Sequence, residues 1–172
     1  MGSSIFSWVE TYSSETELWR AVFNCFPPDS FEEQIGQRGP FSAPFRNGHY
    51  GLFGFLAGVR NYACCEPLAK PRGLPDDCDK VGGCIANDID DLVDLESCSW
   101  LLLSELLNFD YETVFWNRRV RKGIDHAALA DEGEGIHQTY RELLGPNYFE
   151  TLGVLESLGE YDRVRVVFGF DN

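Results

Sequence analysis

From Ile5 to Tyr12 the side chains alternate, with Ile5, Ser7, Val9 and Thr11 on one face and Phe6, Trp8, Glu10 and Tyr12 on the other. That two-residue period predicts a β-strand. The last segment repeats it: Val164, Val166, Phe168 and Phe170 share one face, Arg165, Val167 and Gly169 the other, which predicts a C-terminal strand beside the first. Between Tyr50 and Arg60, Phe53, Leu56 and Ala57 recur at helical spacing and predict a short buried helix. Gly51, Gly54 and Gly58 each weaken it by about 1 kcal/mol relative to Ala, so they point to close packing or to a backbone approach to something bound. A stripe of Leu102, Leu103, Leu106 and Leu107 predicts a helix over 100–109. Another helix is expected from about 136 to 144, stopped by Gly145-Pro146, and Tyr148, Phe149, Leu152, Leu155 and Leu158 define a third, ended by Gly159. Residues 27–30 and 39–44 read as loops, and 64–99 as one long excursion rich in Pro, Gly and Asp. Terminal strands with helices between them predict a single α+β domain over 1–172, with the two strands in one mostly antiparallel sheet.

Composition agrees with a packed domain: 44% of the 172 residues are hydrophobic and 14% aromatic. The formal charge of −14 argues against direct adhesion to nucleic acid or to an anionic membrane, since neutralising phosphates needs Lys and Arg in excess. The charge is uneven. Residues 76–96 hold eight acids, Asp76, Asp77, Asp79, Asp88, Asp90, Asp91, Asp94 and Glu96, against Lys80, a net of −7 in 21 residues. A solvated loop, a divalent-cation site and a partner-facing surface that imitates spaced phosphates all fit that run, although it lacks the glycine and terminal glutamate of an EF-hand loop. Arg118, Arg119, Arg121 and Lys122 form a compact basic segment directly after Phe115 and Trp116. Such a segment is either a surface turn that balances the acidic loop or a holder of a base-plus-phosphate ligand, by stacking and charge-assisted hydrogen bonds. Arg46, Arg60, Arg72 and Arg165 lie in apolar or Gly/Pro-rich settings, where arginines are paired or hold an anion.

Residues 1–6 have neither the basic nor the apolar region of a secretory signal, and Phe6 stands where a myristoylation pattern wants Ser or Thr, so a cytoplasmic protein is expected. Six cysteines occur without a CxxC pair; reduced thiols are expected, and zinc is not, because Cys78 and Cys84 have no nearby His. The common nucleophile-elbow, zincin, P-loop and dinucleotide motifs are absent from the sequence. His49, His126 and His137 fall in three separate segments; His49, beside Arg46 and Tyr50, reads as a polar residue preceding a helix. No cofactor is expected.

Three runs carry a resemblance: Tyr50 through Phe53, Leu56, Ala57, Val59, Arg60 and Asn61; Pro67 and Leu68 through Pro71, Arg72, Gly73, Leu74, Pro75, Asp76 and Asp77; and Ser97 through Ser99, Trp100, Leu101, Glu105, Leu107, Phe109 and Asp110. Together with the closing 164–172 segment they cover about a third of the chain and resemble a family of small, largely uncharacterised proteins of bacteriophage and prophage genomes. Members of that family open with Met-Gly-Cys-Asp-Ile-His and carry a histidine near the place of Ser97; here Ser3, Ser4 and Phe6 stand in the opening motif and Glu96-Ser97-Cys98 in the later one. Cys, Asp and His are the residue types that ligate metals or act as nucleophile and base, so a catalytic centre at that end would be lost in this chain.

The resemblance implies a phage accessory or counter-defence protein in the host cytoplasm. One reading is a sponge that captures a small anionic ligand, a nucleotide or cyclic nucleotide, without turnover, through Arg46, Arg60, Asn61, Arg72, Gly73, Trp116, Arg118 and Arg165. The alternative is an acidic inhibitor that blocks the basic groove of a host nuclease or CRISPR effector with Asp76, Asp77, Asp88, Asp90, Asp91 and Asp94. A metal-dependent nucleotide hydrolase is a third, weaker option. Homo-oligomerisation is left open by the sequence.

Overall fold

The computed structural model describes residues 5–26, 43–45, 49–79, 98–122, 126–131 and 133–170. The predicted terminal strands form as expected: β1 (Ile5–Ser13) and β8 (Val164–Phe170) pair antiparallel, with Ile5 opposite Phe170 and Glu10 opposite Arg165. β2 (Leu18–Ala21) flanks β1 and β3 (Ser99–Leu102) flanks β8, so the antiparallel sheet runs β2-β1-β8-β3. The fold is α+β.

One face of this sheet presents Val9, Leu101, Val164, Val166, Phe168 and Phe170 to the helices. The helix α1 (Tyr50–Ala57) is buried from Gly51 to Ala57 and lies in the core, where Phe53 meets Phe170 edge-on at 5.0 Å. Burying each such Phe stabilises the fold by about 1.5–3 kcal/mol. Its glycines serve packing: a Cβ at Gly51 would lie 2.8 Å from Leu143 Cδ1, and one at Gly54 2.6 Å from Asn61 Oδ1. Gly58 ends the helix in the left-handed conformation (φ 73°), and its N–H bonds the Gly54 carbonyl. Phe55 gathers Phe109, Tyr111, Tyr140 and Tyr148 into one aromatic cluster.

Two predicted helices are shorter than their sequence pattern. In the stretch 100–109, Ser99–Leu102 is strand β3 and only α2 (Leu103–Asn108) is helical. A short apolar run does not tell strand from helix, and here pairing with β8 decides it, Leu101 lying opposite Val166. In 136–144, β7 (Ile136–Thr139) precedes α3 (Tyr140–Leu144), because β4 (Val114–Asn117) supplies a partner strand and Thr139 caps the helix, accepting from Glu142 N. Gly145 stops α3 as predicted, but Pro146 then opens α4 (Pro146–Glu156) at the first helical position, where its missing N–H costs nothing. The basic segment is a strand rather than a surface turn: β5 (Arg119–Lys122) pairs with β6 (His126–Leu129). The loops expected at 27–30 and most of 39–44 lie outside the described residues, as does the 80–97 part of the long excursion. Among the described residues no helix is long and apolar enough to cross a membrane.

Candidate functional site

Every residue of β8 is buried, including those facing away from the helices. Residues 72–79 cover that second face as a strap that bonds to each strand of the sheet in turn. Arg72 N donates to Ser99 Oγ of β3 (3.2 Å), and Asp77 Oδ1 accepts from Arg165 Nη1 of β8 (2.8 Å). Asp79 N donates to Glu10 Oε1 of β1 (2.9 Å), and Asp79 Oδ2 accepts from Ala21 N of β2 (3.1 Å). Leu74 packs with Trp8, Ala21, Val167 and Trp100. Gly73 permits the turn into this strap, with φ 76° and its N–H on the Cys98 carbonyl.

The strap explains what Arg72 and Arg165 do. Arg165, 3% exposed, donates from Nε to Glu10 Oε2 at 2.7 Å, and Glu10 is fully buried. Its guanidinium lies 4.1 Å over Trp19 and 5.7 Å from Trp100; Nη2 approaches the same carboxylate to 2.7 Å without hydrogen-bond geometry. Trp8 Nε1 donates to the other Glu10 oxygen at 3.1 Å, so the buried pair is held from several sides. Arg72 grips Glu105 with both terminal nitrogens, at 2.9 and 2.5 Å, and lies 5.0 Å from the Trp100 ring. The hydrogen bond from Arg72 pulls the Glu105 carboxyl below its usual range, burial opposing. Arg72 and Arg165 therefore converge on Trp100, each already joined to a carboxylate.

The remaining predicted residues lie on other elements. Asn61 is structural: its side chain donates to the Cys65 carbonyl (2.7 Å) and accepts from Cys65 N (3.2 Å). Arg60 beside it is half-buried, with a positive φ of 47°. Arg118 joins this loop through its N–H on the Ala63 carbonyl (3.2 Å) and donates from Nη2 to the Ala130 carbonyl (3.0 Å). Its guanidinium lies 5.6 Å from the ring of Trp116, an indole that is 39% exposed. Gly135, at φ 111°, lets the 133–135 turn sit against that indole, since a Cβ there would fall 2.6 Å from Trp116 Nε1. Arg46, Asp88, Asp90, Asp91 and Asp94 lie outside the described residues; Asp76 and Asp77 are exposed near the end of the strap.

Arg119, already part of the basic segment read from the sequence, and three residues not offered as ligand groups there, His49, Tyr50 and Tyr62, complete this region. Arg119 is exposed and lies 5.6 Å over the ring of Tyr50, which meets Tyr62 at 6.0 Å. His49 caps α1, its Nδ1 accepting from Leu52 N at 3.2 Å. Burial, and secondarily the charge of Arg119, lower its pKa. Tyr50 and His49 stand near Arg46 in the sequence, but only the meeting of β5 with α1 and the 60–63 loop brings Arg119 to them. Among the described residues Arg60, Arg118 and Arg119 form no ion pair with a carboxylate.

Among the described cysteines, Cys64, Cys65 and Cys98 are free thiols. Burial pushes the Cys65 thiol up to about 11 and raises Cys98, the opposite of an activated thiolate. Among the described residues no three His, Cys, Asp or Glu side chains are grouped to hold a metal ion. No protein-family model matches the chain, and neither a curated protein nor a solved structure matches it.

Proposed function

We propose that the protein binds a small anionic, nucleotide-like ligand through Arg118 and Arg119, and holds it without turning it over. One observation carries this reading: two consecutive arginines lie over two different aromatic rings, Trp116 and Tyr50, with no carboxylate paired to either among the described residues. A guanidinium against an aromatic face is oriented in advance and presents its N–H edge, the geometry that suits phosphate oxygens. Arg72 and Arg165, by contrast, would have to give up Glu105, Glu10 and Asp77 first. The anion site is accordingly assigned to the basic strand rather than to the strap. The resemblance to phage and prophage proteins supplies the setting, a protein that withholds a nucleotide signal inside the host.

Calorimetry with linear and cyclic nucleotides tests it. Micromolar binding is expected, weakened about tenfold or more by Arg118→Ala or Arg119→Ala, and the recovered ligand is chemically unchanged. Absence of heat with every nucleotide, for the folded protein, overturns the reading.

A second reading is favoured by the strap: Asp76 is exposed, and the Asp77 side chain stays 62% exposed while bonded to Arg165, so two of the acids present their carboxylates to solvent at an anchored point. Capture of a basic nucleic-acid-binding protein, released by DNA and by salt and lost in Asp88→Asn/Asp90→Asn/Asp91→Asn/Asp94→Asn, would sustain this reading; indifference to salt would end it.

A further inference from the structure

His49 faces two environments. On one side is the charge of Arg119; on the other His49 lines an open groove of about 680 Å³ between α1, the 43–45 segment and the start of α4. Resting on the Arg118 and Arg119 reading, we infer that this groove receives the base of a nucleoside phosphate whose phosphate lies at Arg119. The volume falls in the range of small-molecule sites and exceeds what a purine needs.

The walls are held in place before any ligand arrives. Ser7 Oγ donates to the Phe45 carbonyl (2.9 Å) and accepts from Phe45 N (3.1 Å), while Thr151 Oγ1 reaches the Pro44 carbonyl (3.4 Å). The Phe45 ring stacks on Tyr148 at 5.8 Å and 13°, and the Tyr148 hydroxyl is tied to that of Tyr111 at 2.8 Å. Leu52 and Val154 supply further apolar surface. Phe45 and Tyr148 are themselves nearly buried, so they offer ring edges rather than free faces, on a wall whose order costs the ligand little.

The polar groups select among apolar ligands. With Nδ1 of His49 accepting from Leu52 N, the proton of the neutral imidazole sits on Nε2, which makes that nitrogen a donor. Glu150 lines the same groove and supplies carboxylate acceptors. A donor and an acceptor beside aromatic walls suit the mixed edge of a nucleobase. An acyl chain would use neither polar group, and a bare sugar phosphate would leave the apolar wall uncovered. The base thus enters past His49, and Trp116 is not its platform.

Calorimetry on the full chain with a nucleoside monophosphate, the free nucleoside, ribose 5-phosphate and inorganic phosphate tests this. The monophosphate is expected to bind about tenfold or more tighter than ribose 5-phosphate, a preference abolished by Val154→Trp, which fills the groove, and retained by Trp116→Ala. Equal affinity for the two phosphates, or a preference lost in Trp116→Ala and kept in Val154→Trp, overturns the groove assignment while leaving the anion site. Nucleoside binding without any binding of phosphates sustains the groove and removes the Arg118 and Arg119 reading. Should Val154→Trp not fold, the His49 imidazole resonances decide: they shift with the free nucleoside, which carries no phosphate for Arg119, and an unmoved His49 overturns the assignment.

Discussion

Glu10 and Arg165 face each other in register on the two central strands, joined at 2.7 Å on the sheet face turned away from the helices. Both are buried, and the strap that encloses them is itself held by Arg165 through Asp77 and by Glu10 through the backbone of Asp79. The ion pair thus both needs its cover and fastens it.

Removing one partner leaves the other charge buried. Arg165→Leu is expected to destabilise the protein by about 3–5 kcal/mol in urea denaturation, and the double change Glu10→Met/Arg165→Leu to recover most of that loss. A double variant no more stable than the single one would show that Arg165 acts through its stacking on Trp19 instead.

Loosening the strap at its far end has an optical readout. Asp79→Ala removes the acceptor of Ala21 N and the partner of Arg20. A loss of about 1–3 kcal/mol is expected. Trp8 lies in the small cluster against which Leu74 and Trp100 pack, so a red shift in tryptophan emission should accompany it, and an unchanged spectrum would count against strap opening.

Titration of His49 reaches the helix it caps. Its pKa is lowered below 6.5 in the folded state, so the unfolded chain takes up the proton first as pH falls. That contribution to stability is complete above pH 6.5 and is lost as pH drops through 6.5 toward the folded value. His49→Asn, which keeps a cap acceptor, should abolish this dependence, whereas His49→Ala should in addition cost about 1 kcal/mol at neutral to mildly basic pH.

The Arg72 and Glu105 pair titrates lower. Glu105 is depressed below 4.5 when folded, so its stabilisation is present above pH 4.5 and fades as pH falls through the folded value. Arg72→Gln should therefore be less stable than the parent protein at neutral pH and converge with it in acid, as thermal melts across pH would show. Both side chains are about a third exposed, which keeps the effect small.

Two glycines in helices should respond oppositely to alanine. Gly54→Ala drives a methyl to 2.6 Å from Asn61 Oδ1 and disturbs the clasp on Cys65, an expected loss of about 1–3 kcal/mol. At Gly153 nothing stands within 4 Å of the place a methyl would take, so Gly153→Ala should raise stability by about 0.5–1 kcal/mol through helix propensity.

The features legible along the chain are local ones. Alternation set the faces of β1 and β8, the apolar stripe after Gly145 marked α4, and the glycines of α1 announced close packing. Periodicity states which way a side chain points and is silent on what stands opposite. Arg165 was therefore readable as an arginine facing away from the core, but not as the partner of Glu10, which sits at the other end of the chain. The same silence made β3 and β7 look helical, because strand hydrogen bonds are made with distant residues and leave no trace in a short apolar run. Arg118 meets Trp116 two residues away, but the carboxylates of Arg72 and Arg165 and the Tyr50 ring under Arg119 were decided by long-range contacts, because they depend on the strap crossing the sheet and on β5 meeting α1.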